Sequence, residues 1–394
     1  MILTLDWNPR ALPPGTQAEN VPLRSADGAA TGGAFYARGK PRTAVFLMHP
    51  REFFAFHYLV PDLVEAGCAA WAQLPRSVGN DLRLEHEIAL FDVAAGMQFL
   101  REKNFEKVVF LGNSGGSGLF SLYVQQAALE PSKRLAKTPA GRPTGLAELD
   151  MPKGDGMVYL APHPGQGRLL VGCIDPSVTD ENDPLAVDSS LDAFDPANGY
   201  GETPGYRMDF VERYRNAQRE RVHRLDEKAR SLVARRQDAR KSKVDRKLAA
   251  HTPIMTVWRT DADLRCLDLS IDPSDRKPGS VWGRDVFASN YGSVGFARNC
   301  SPESWLSTWS GLSSNAALEK TAPAVTLPTL LVEYTGDQTT FPATVREIFG
   351  WIGTTEKKHL RVRGDHHGRP LAQGEEPGRD IAGKAIGEWL HEHF

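Results

Sequence analysis

A chain of 394 residues has room for one large α/β domain with an elaboration, or for two average domains, and it can bury a substantial core. With 41% hydrophobic and 24% charged residues and a formal net charge of −2, it carries no basic excess for nucleic acid, and no run reaches the roughly 18 apolar residues of a membrane-spanning helix. Four scattered cysteines, Cys68, Cys173, Cys266 and Cys300, form no C-x-x-C pair, so spacing suggests neither a zinc knuckle nor a redox dithiol, and free thiols in a reducing compartment are expected.

The chain starts with Met1 to Trp7, which lacks a basic region followed by a long apolar segment, and a cytoplasmic protein is expected. Ala18 to Leu23 and Gly33 to Ala37 read as lead-in strands. Thr43 to Met48 is a short apolar run suited to a buried parallel strand, ending at His49-Pro50. A helix over Phe56 to Ala66, a strand over Cys68 to Leu74, a loop from Pro75 to Asp81 and an amphipathic helix over Leu84 to Leu100 follow. Lys107 to Leu111 reads as a strand, Leu119 to Leu129 as a helix, and Gly156 to Ala161 as the next strand after a Pro/Lys/Gly-rich connection. This alternation predicts a doubly wound, mostly parallel sheet.

The next core strand is Pro328 to Tyr334, and the stretch before it is far too long for a crossover, so an inserted subdomain is expected over residues 162–326, with 1–161 and 327–394 as the core. The insertion begins irregular and acidic. Its middle, residues 207–250, is a basic helical pattern without Pro or Gly, read mainly as a solvated face laced with pairs such as Glu220/Arg224 and Asp226/Arg230. A dimer contact or an arm over the site is equally allowed. Near its end, Trp305 and Trp309 fall on one helical face; core packing is their first reading, and walls of an apolar substrate pocket the second.

The chemistry concentrates at Gly112-Asn-Ser-Gly-Gly116, a G-x-S-x-G turn between a strand and a helix. Glycines on both sides let strand and helix approach, the serine is forced into a strained backbone, and the Gly115 N–H can face a developing oxyanion. The turn is neither G-x-G-x-x-G nor G-x-x-x-x-G-K-[ST], so a phosphate cradle is disfavoured. A serine nucleophile needs a base and a group to orient it. Asp337 lies just past the strand ending at Tyr334, and Gly364-Asp-His-His-Gly368 just past a strand over His359 to Arg363. The expected set is therefore Ser114, Asp337 and His366, with His367 as the alternative base; Glu333 and Asp365 are weaker acids. The second oxyanion donor is expected from the loop after the first core strand, with the Arg51 N–H ahead of Glu52, since Pro50 cannot donate. His49 reads as packing or loop-ordering, His163 as a group at the same sheet edge that touches substrate, Asp155 as structural, and His391 and His393 as part of a terminal helix.

On Leu111-Gly-Asn-Ser-Gly-Gly116, His49-Pro50, Gly336-Asp337 and Gly364-Asp-His-His-Gly368, the chain resembles the α/β-hydrolase superfamily, in an esterase-like branch with a large cap. The resemblance implies an eight-stranded, mostly parallel sheet, a Ser-Asp-His triad, no cofactor or metal, and a largely helical cap inserted after the sixth strand. Two departures stand out: His-Pro replaces the more frequent His-Gly, and the histidines are paired. The expected function is hydrolysis of a carboxylic ester, or a related acyl bond, of a small and partly apolar molecule. C–C, lactone, amide or thioester cleavage on the same triad is the alternative, and a non-catalytic binding protein using the basic helix is a reading of another class. The partner expected is a small-molecule substrate, with neither nucleic acid nor membrane, and a homodimer through the cap is allowed.

Overall fold

The computed structural model describes residues 10–79, 81–201, 205–283 and 285–394; the expectation drawn from Met1 to Trp7 lies outside them. Eight strands form one sheet: β1 (Gln17–Arg24), β2 (Ala30–Ala37), β3 (Thr43–Met48), β4 (Ala69–Leu74), β5 (Lys107–Asn113), β6 (Gly156–Leu160), β7 (Thr329–Tyr334) and β8 (Lys357–Val362). Their order is β1-β2-β4-β3-β5-β6-β7-β8, and β2 alone runs against the rest. β5, which delivers Ser114, sits between β3 and β6.

Side-chain alternation divides the core. Ala44, Phe46 and Met48 of β3, with Val108 and Phe110 of β5, pack on one face against Trp71 and Phe120. Val45, Leu47, Val109 and Leu111 pack on the other against Leu63 and Trp389. This is the period of a strand covered on both faces, which is why these stretches read as continuous apolar runs.

Helix boundaries move in interpretable ways. The helix expected from Phe56 is shorter, α1 (Val60–Glu65), because Pro61 suits the first helical turn and the residues before it form turns. The amphipathic helix is α2 (His86–Glu102), and α3 (Gly115–Ala128) starts directly after Ser114. Between β6 and β7 the chain leaves the sheet through α4 (Gln166–Cys173), the 35-residue α5 (Met208–Ser242), short helices and two-stranded ribbons at Val178–Asp180/Asp183–Val187 and Met255–Thr256/Asn299–Cys300. The predicted continuous helix to Ala250 is broken at Lys243, which takes φ 59°, before a short helix at Arg246–Ala250. Ala316, Leu318, Ala322 and Val325 already pack in the core under the sheet, so the chain returns to it before residue 327.

The basic residues of α5 turn inward more than the sequence suggests. Arg221 is fully buried and donates to both carboxylate oxygens of Glu181 at 2.8 and 2.7 Å and to the Asp175 carbonyl; Arg215 pairs with Asp263 and Arg236 with Glu303. The expected Asp226/Arg230 pair gives way to other partners: Asp226 accepts from Trp305 Nε1, and Arg230 donates to the Pro139 carbonyl. Among the described residues no helix is long and apolar enough to cross a membrane.

Candidate active site

Five loops at the carboxyl ends of parallel strands supply the site: Ser114 after β5, His49 after β3, His163 after β6, Asp337 after β7 and His366 after β8. This edge is where an open α/β sheet presents its ligands.

Ser114 takes φ 54° and ψ −120°, a conformation costing a non-glycine residue about 1–3 kcal/mol. The surroundings over-determine it. The Ser114 N–H donates to the Leu160 carbonyl at 2.9 Å, and its carbonyl accepts from the Ser117 N–H at 3.1 Å. Asn113 braces the turn from below through Nδ2 to the same Leu160 carbonyl (3.0 Å) and Oδ1 to His57 Nε2 (3.2 Å). A β-carbon on Gly112 would stand 2.7 Å from the Ser117 backbone, and one on Gly116 would strike the Met48 carbonyl, so both glycines of the motif are required by close approach.

His366 Nδ1 lies 2.7 Å from Asp337 Oδ2. Asp337 is buried, and its other oxygen accepts from the Thr339 N–H (2.6 Å) and hydroxyl (2.7 Å). Burial alone would raise the Asp337 carboxyl, but His366 and the Thr339 bonds outweigh it and hold the group below the usual carboxylate range. Burial alone would likewise lower His366, yet the Asp337 charge and hydrogen bond lift it above the ordinary histidine value. His367 differs. Its ring packs edge-on to His366 at 5.1 Å, and burial, reinforced by His366, takes it down to about 3. The weaker acids are engaged elsewhere: Glu333 with His359 and Arg361 across β7 and β8, and Asp365 with the N–H groups of His367 and Arg369 in its own turn.

The loop after β3 departs from expectation. The Arg51 N–H, predicted to face an oxyanion, donates to His49 Nδ1 at 3.2 Å, and the Glu52 N–H joins it at 3.0 Å. His49 thus orders its loop, as expected. The Arg51 side chain forks onto Asp81 at 2.7 and 2.8 Å and lies over the Trp309 ring at 5.2 Å, tying the loop to the insertion.

Ser114, His366, His367, His49 and His163 open onto one cavity of about 670 Å³. Its far wall comes from the insertion: Leu169, Val281, Trp282, Val294 and Phe296. Of the two readings of Trp305 and Trp309, core packing is the one seen, and the second, that they wall the pocket, is corrected. Both are fully buried in the core of the insertion, where Trp305 Nε1 bonds Asp226 at 2.7 Å and Trp309 packs on Phe296. Trp282 and Phe296, with ring centroids 4.9 Å apart, take the wall position instead. They stand in irregular chain with no period to mark them. Thr339, two residues beyond Asp337, was also missed, although a hydroxyl at that spacing suits a turn that orients a carboxylate. Asp155 accepts from the Val108 N–H and Lys107 Nζ, and His393 donates from Nδ1 to the Trp389 carbonyl of its own helix, so both are structural. No cluster of three or more His, Cys, Asp or Glu side chains suited to a metal ion occurs among the described residues.

No family model and no curated protein matches the sequence. Solved structures do match in shape. DcsB, solved in complex with its substrate analogue, aligns over 96% of this chain and 100% of its own with a TM-score of 0.52 and 12% identity. The α/β hydrolase GrgF from Penicillium sp. aligns over 96% and 99% (TM-score 0.48, 12% identity), and the dienelactone hydrolase from Anabaena variabilis over 96% and 99% (TM-score 0.43, 10% identity). Identities this low speak only to architecture, and it is the strand order, with β2 reversed and the serine turn after β5, that settles it: the chain has the α/β-hydrolase fold.

Proposed function

We propose that the protein is a serine hydrolase that cleaves a carboxylic ester of a small, partly apolar molecule. The observation that carries the reading is His366, held at 2.7 Å by buried Asp337 and lining the same cavity as a serine held at φ 54°. Ser114 Oγ attacks the carbonyl carbon while His366 takes its proton, and a tetrahedral adduct forms with its oxygen beside the Gly115 N–H. Collapse breaks the ester C–O bond; His366 returns the proton to the leaving alcohol and an acyl-serine remains. Water, deprotonated by His366, then attacks the acyl carbon; the acyl C–Oγ bond breaks as His366 returns the proton to Ser114 Oγ, and the acid is released. Asp337 stays ionised throughout and stabilises the imidazolium. The apolar wall formed by Leu169, Val281, Trp282 and Phe296 supports a hydrocarbon portion on the substrate.

The test combines a fluorophosphonate label with a screen of p-nitrophenyl and lactone esters of graded chain length. Wild type is expected to be labelled at Ser114 and to turn over at least one ester, and Ser114→Ala to lose both while keeping its melting temperature. Undiminished turnover by the folded Ser114→Ala variant would overturn the reading.

A further inference from the structure

Three side-chain nitrogens converge at the nucleophile turn. A β-carbon built on Gly115 would stand 2.6 Å from His49 Nε2, 3.3 Å from His163 Nε2 and 3.3 Å from Gln166 Nε2. That point is open because residue 115 is glycine, and it lies beside the backbone N–H that faces an oxyanion in the proposed mechanism.

Hydrogen bonding fixes the proton on both imidazoles. His49 Nδ1 accepts from the Arg51 and Glu52 N–H groups, and His163 Nδ1 accepts from the Gly165 N–H at 3.2 Å. A neutral imidazole that accepts at Nδ1 carries its hydrogen at Nε2. Burial keeps both neutral, pushing His49 well below the ordinary histidine value and, with His366 adding to the effect, His163 down to about 3. The hydrogen bonds that hold the two rings run through Nδ1, with each Nε2 on the Gly115 side, and both rings line the cavity with Ser114. Gln166 closes the third side, its Oε1 buried without a partner among the described residues.

The backbone leading to His163 is itself strained. Ala161, the residue after β6, takes φ 44°, and its N–H is held by the Val332 carbonyl at 2.9 Å. A non-glycine residue in this conformation is costly, and its effect is to turn Pro162-His163 back across the elbow.

We propose that the oxyanion pocket is built from side chains: the Nε2–H groups of His49 and His163 stand in for the Arg51 N–H and join the Gly115 N–H in binding the carbonyl oxygen of the tetrahedral adduct. The inference rests on Ser114 being the nucleophile. Three neighbouring histidines thereby divide their work. His366, raised by Asp337, moves the proton, while His49 and His163 stay neutral and only donate.

His49→Asn and His163→Asn test this, because an asparagine oxygen reaches the Nδ1 position that holds each loop, while the Nε2 donor is lost. Each is expected to lower both kcat/KM on p-nitrophenyl butyrate and the rate of fluorophosphonate labelling at Ser114 by about 10²-fold or more, as loss of one oxyanion donor does. Affinity for a trifluoromethyl ketone, which forms an anionic adduct with the serine, is expected to fall by a similar factor with KM nearly unchanged. His163→Gln, whose amide nitrogen reaches the Nε2 position, is expected to recover part of the loss. Should an Asn variant unfold, Gly115→Ala fills the convergence point and is expected to weaken the ketone likewise. Folded Asn variants that label and bind ketone as wild type does would overturn the side-chain pocket while leaving Ser114 in place. A wild type that is not labelled at Ser114 would overturn the nucleophile and this inference together.

Discussion

The two walls of the cavity are built on different physics. The sheet edge carrying Ser114, Asp337 and His366 stands on an apolar core whose strands alternate into two packed faces. The insertion opposite also has an apolar centre, around Val222, Leu225, Trp305 and Leu306, but it is laced with ion pairs that each have at least one buried member: Arg259 to Asp175 and Asp192, Arg215 and Arg265 to Asp263, and Arg221 to Glu181. The lesson is one of tolerance. An apolar core accepts many sequences of the right volume, whereas a buried charge network loses heavily when one member is removed. The two are also fastened together. Glu87, fully buried on α2, accepts from Ser307 at 2.6 Å and Asn315 at 2.9 Å of the insertion.

The largest effect should come from the sheet edge and touch chemistry alone. Asp337→Asn preserves shape but removes the charge that orients and lifts His366, and kcat/KM on the best ester is expected to fall by about 10³- to 10⁴-fold with a normal melting temperature. The pH profile supplies the sign. In the proposed mechanism His366 serves as base only when neutral, and its value is raised from 6.5, so wild-type activity should rise with pH through an inflection above 6.5 and be lost below it. In Asp337→Asn the inflection should move down. An unmoved inflection would mean that another carboxylate sets the base.

The next effect breaks the other wall. Arg259 is almost fully buried, at φ 55°, with Nη2 at 2.5 Å from Asp175 and 2.9 Å from Asp192. Arg259→Met leaves Asp175 buried and uncompensated, a change expected to cost about 3–5 kcal/mol in urea unfolding. Asp175→Asn combined with Arg259→Met should recover part of that loss, since both charges are then gone. Equal loss in the single and double variants would show that packing, rather than charge pairing, holds this region.

This difference also explains what could be read from the sequence. The sheet, the elbow and the Asp337/His366 loops were visible because each announces itself locally: apolar runs of strand length, glycines around a serine, and polar groups just past strand ends. His366 ranked ahead of His367 with no local feature to decide it, because the choice depends on which imidazole reaches Asp337 across 29 residues of chain. The insertion was legible only for packing. Trp305 and Trp309 share a helical face, a pattern that reads correctly as core and gives no direction toward a cavity. The arginines of α5 looked solvated because their partners, such as Glu181 and Asp263, are far away in the sequence. Periodicity reports which face of an element is buried, and long-range polar pairing leaves no period to report.

The smallest expected effect sharpens the comparison where the two walls meet the substrate. Trp282 and Phe296 stand on the insertion side, and Trp282→Ala removes aromatic surface from the cavity without touching the Ser114 turn. Apolar contact made equally in ground and transition states affects binding more than chemistry, so KM should rise and kcat stay near wild type. The rise should grow along a series of p-nitrophenyl esters from acetate to octanoate, reaching about 10-fold for chains long enough to reach the ring and staying near unity for acetate, in line with about 1–3 kcal/mol for a few apolar groups in such a pocket. A fall in kcat that is uniform across the series would instead place Trp282 among the groups that hold the site together. A KM effect confined to long chains would make the insertion the part of the molecule that chooses the acyl group, with the sheet edge indifferent to it.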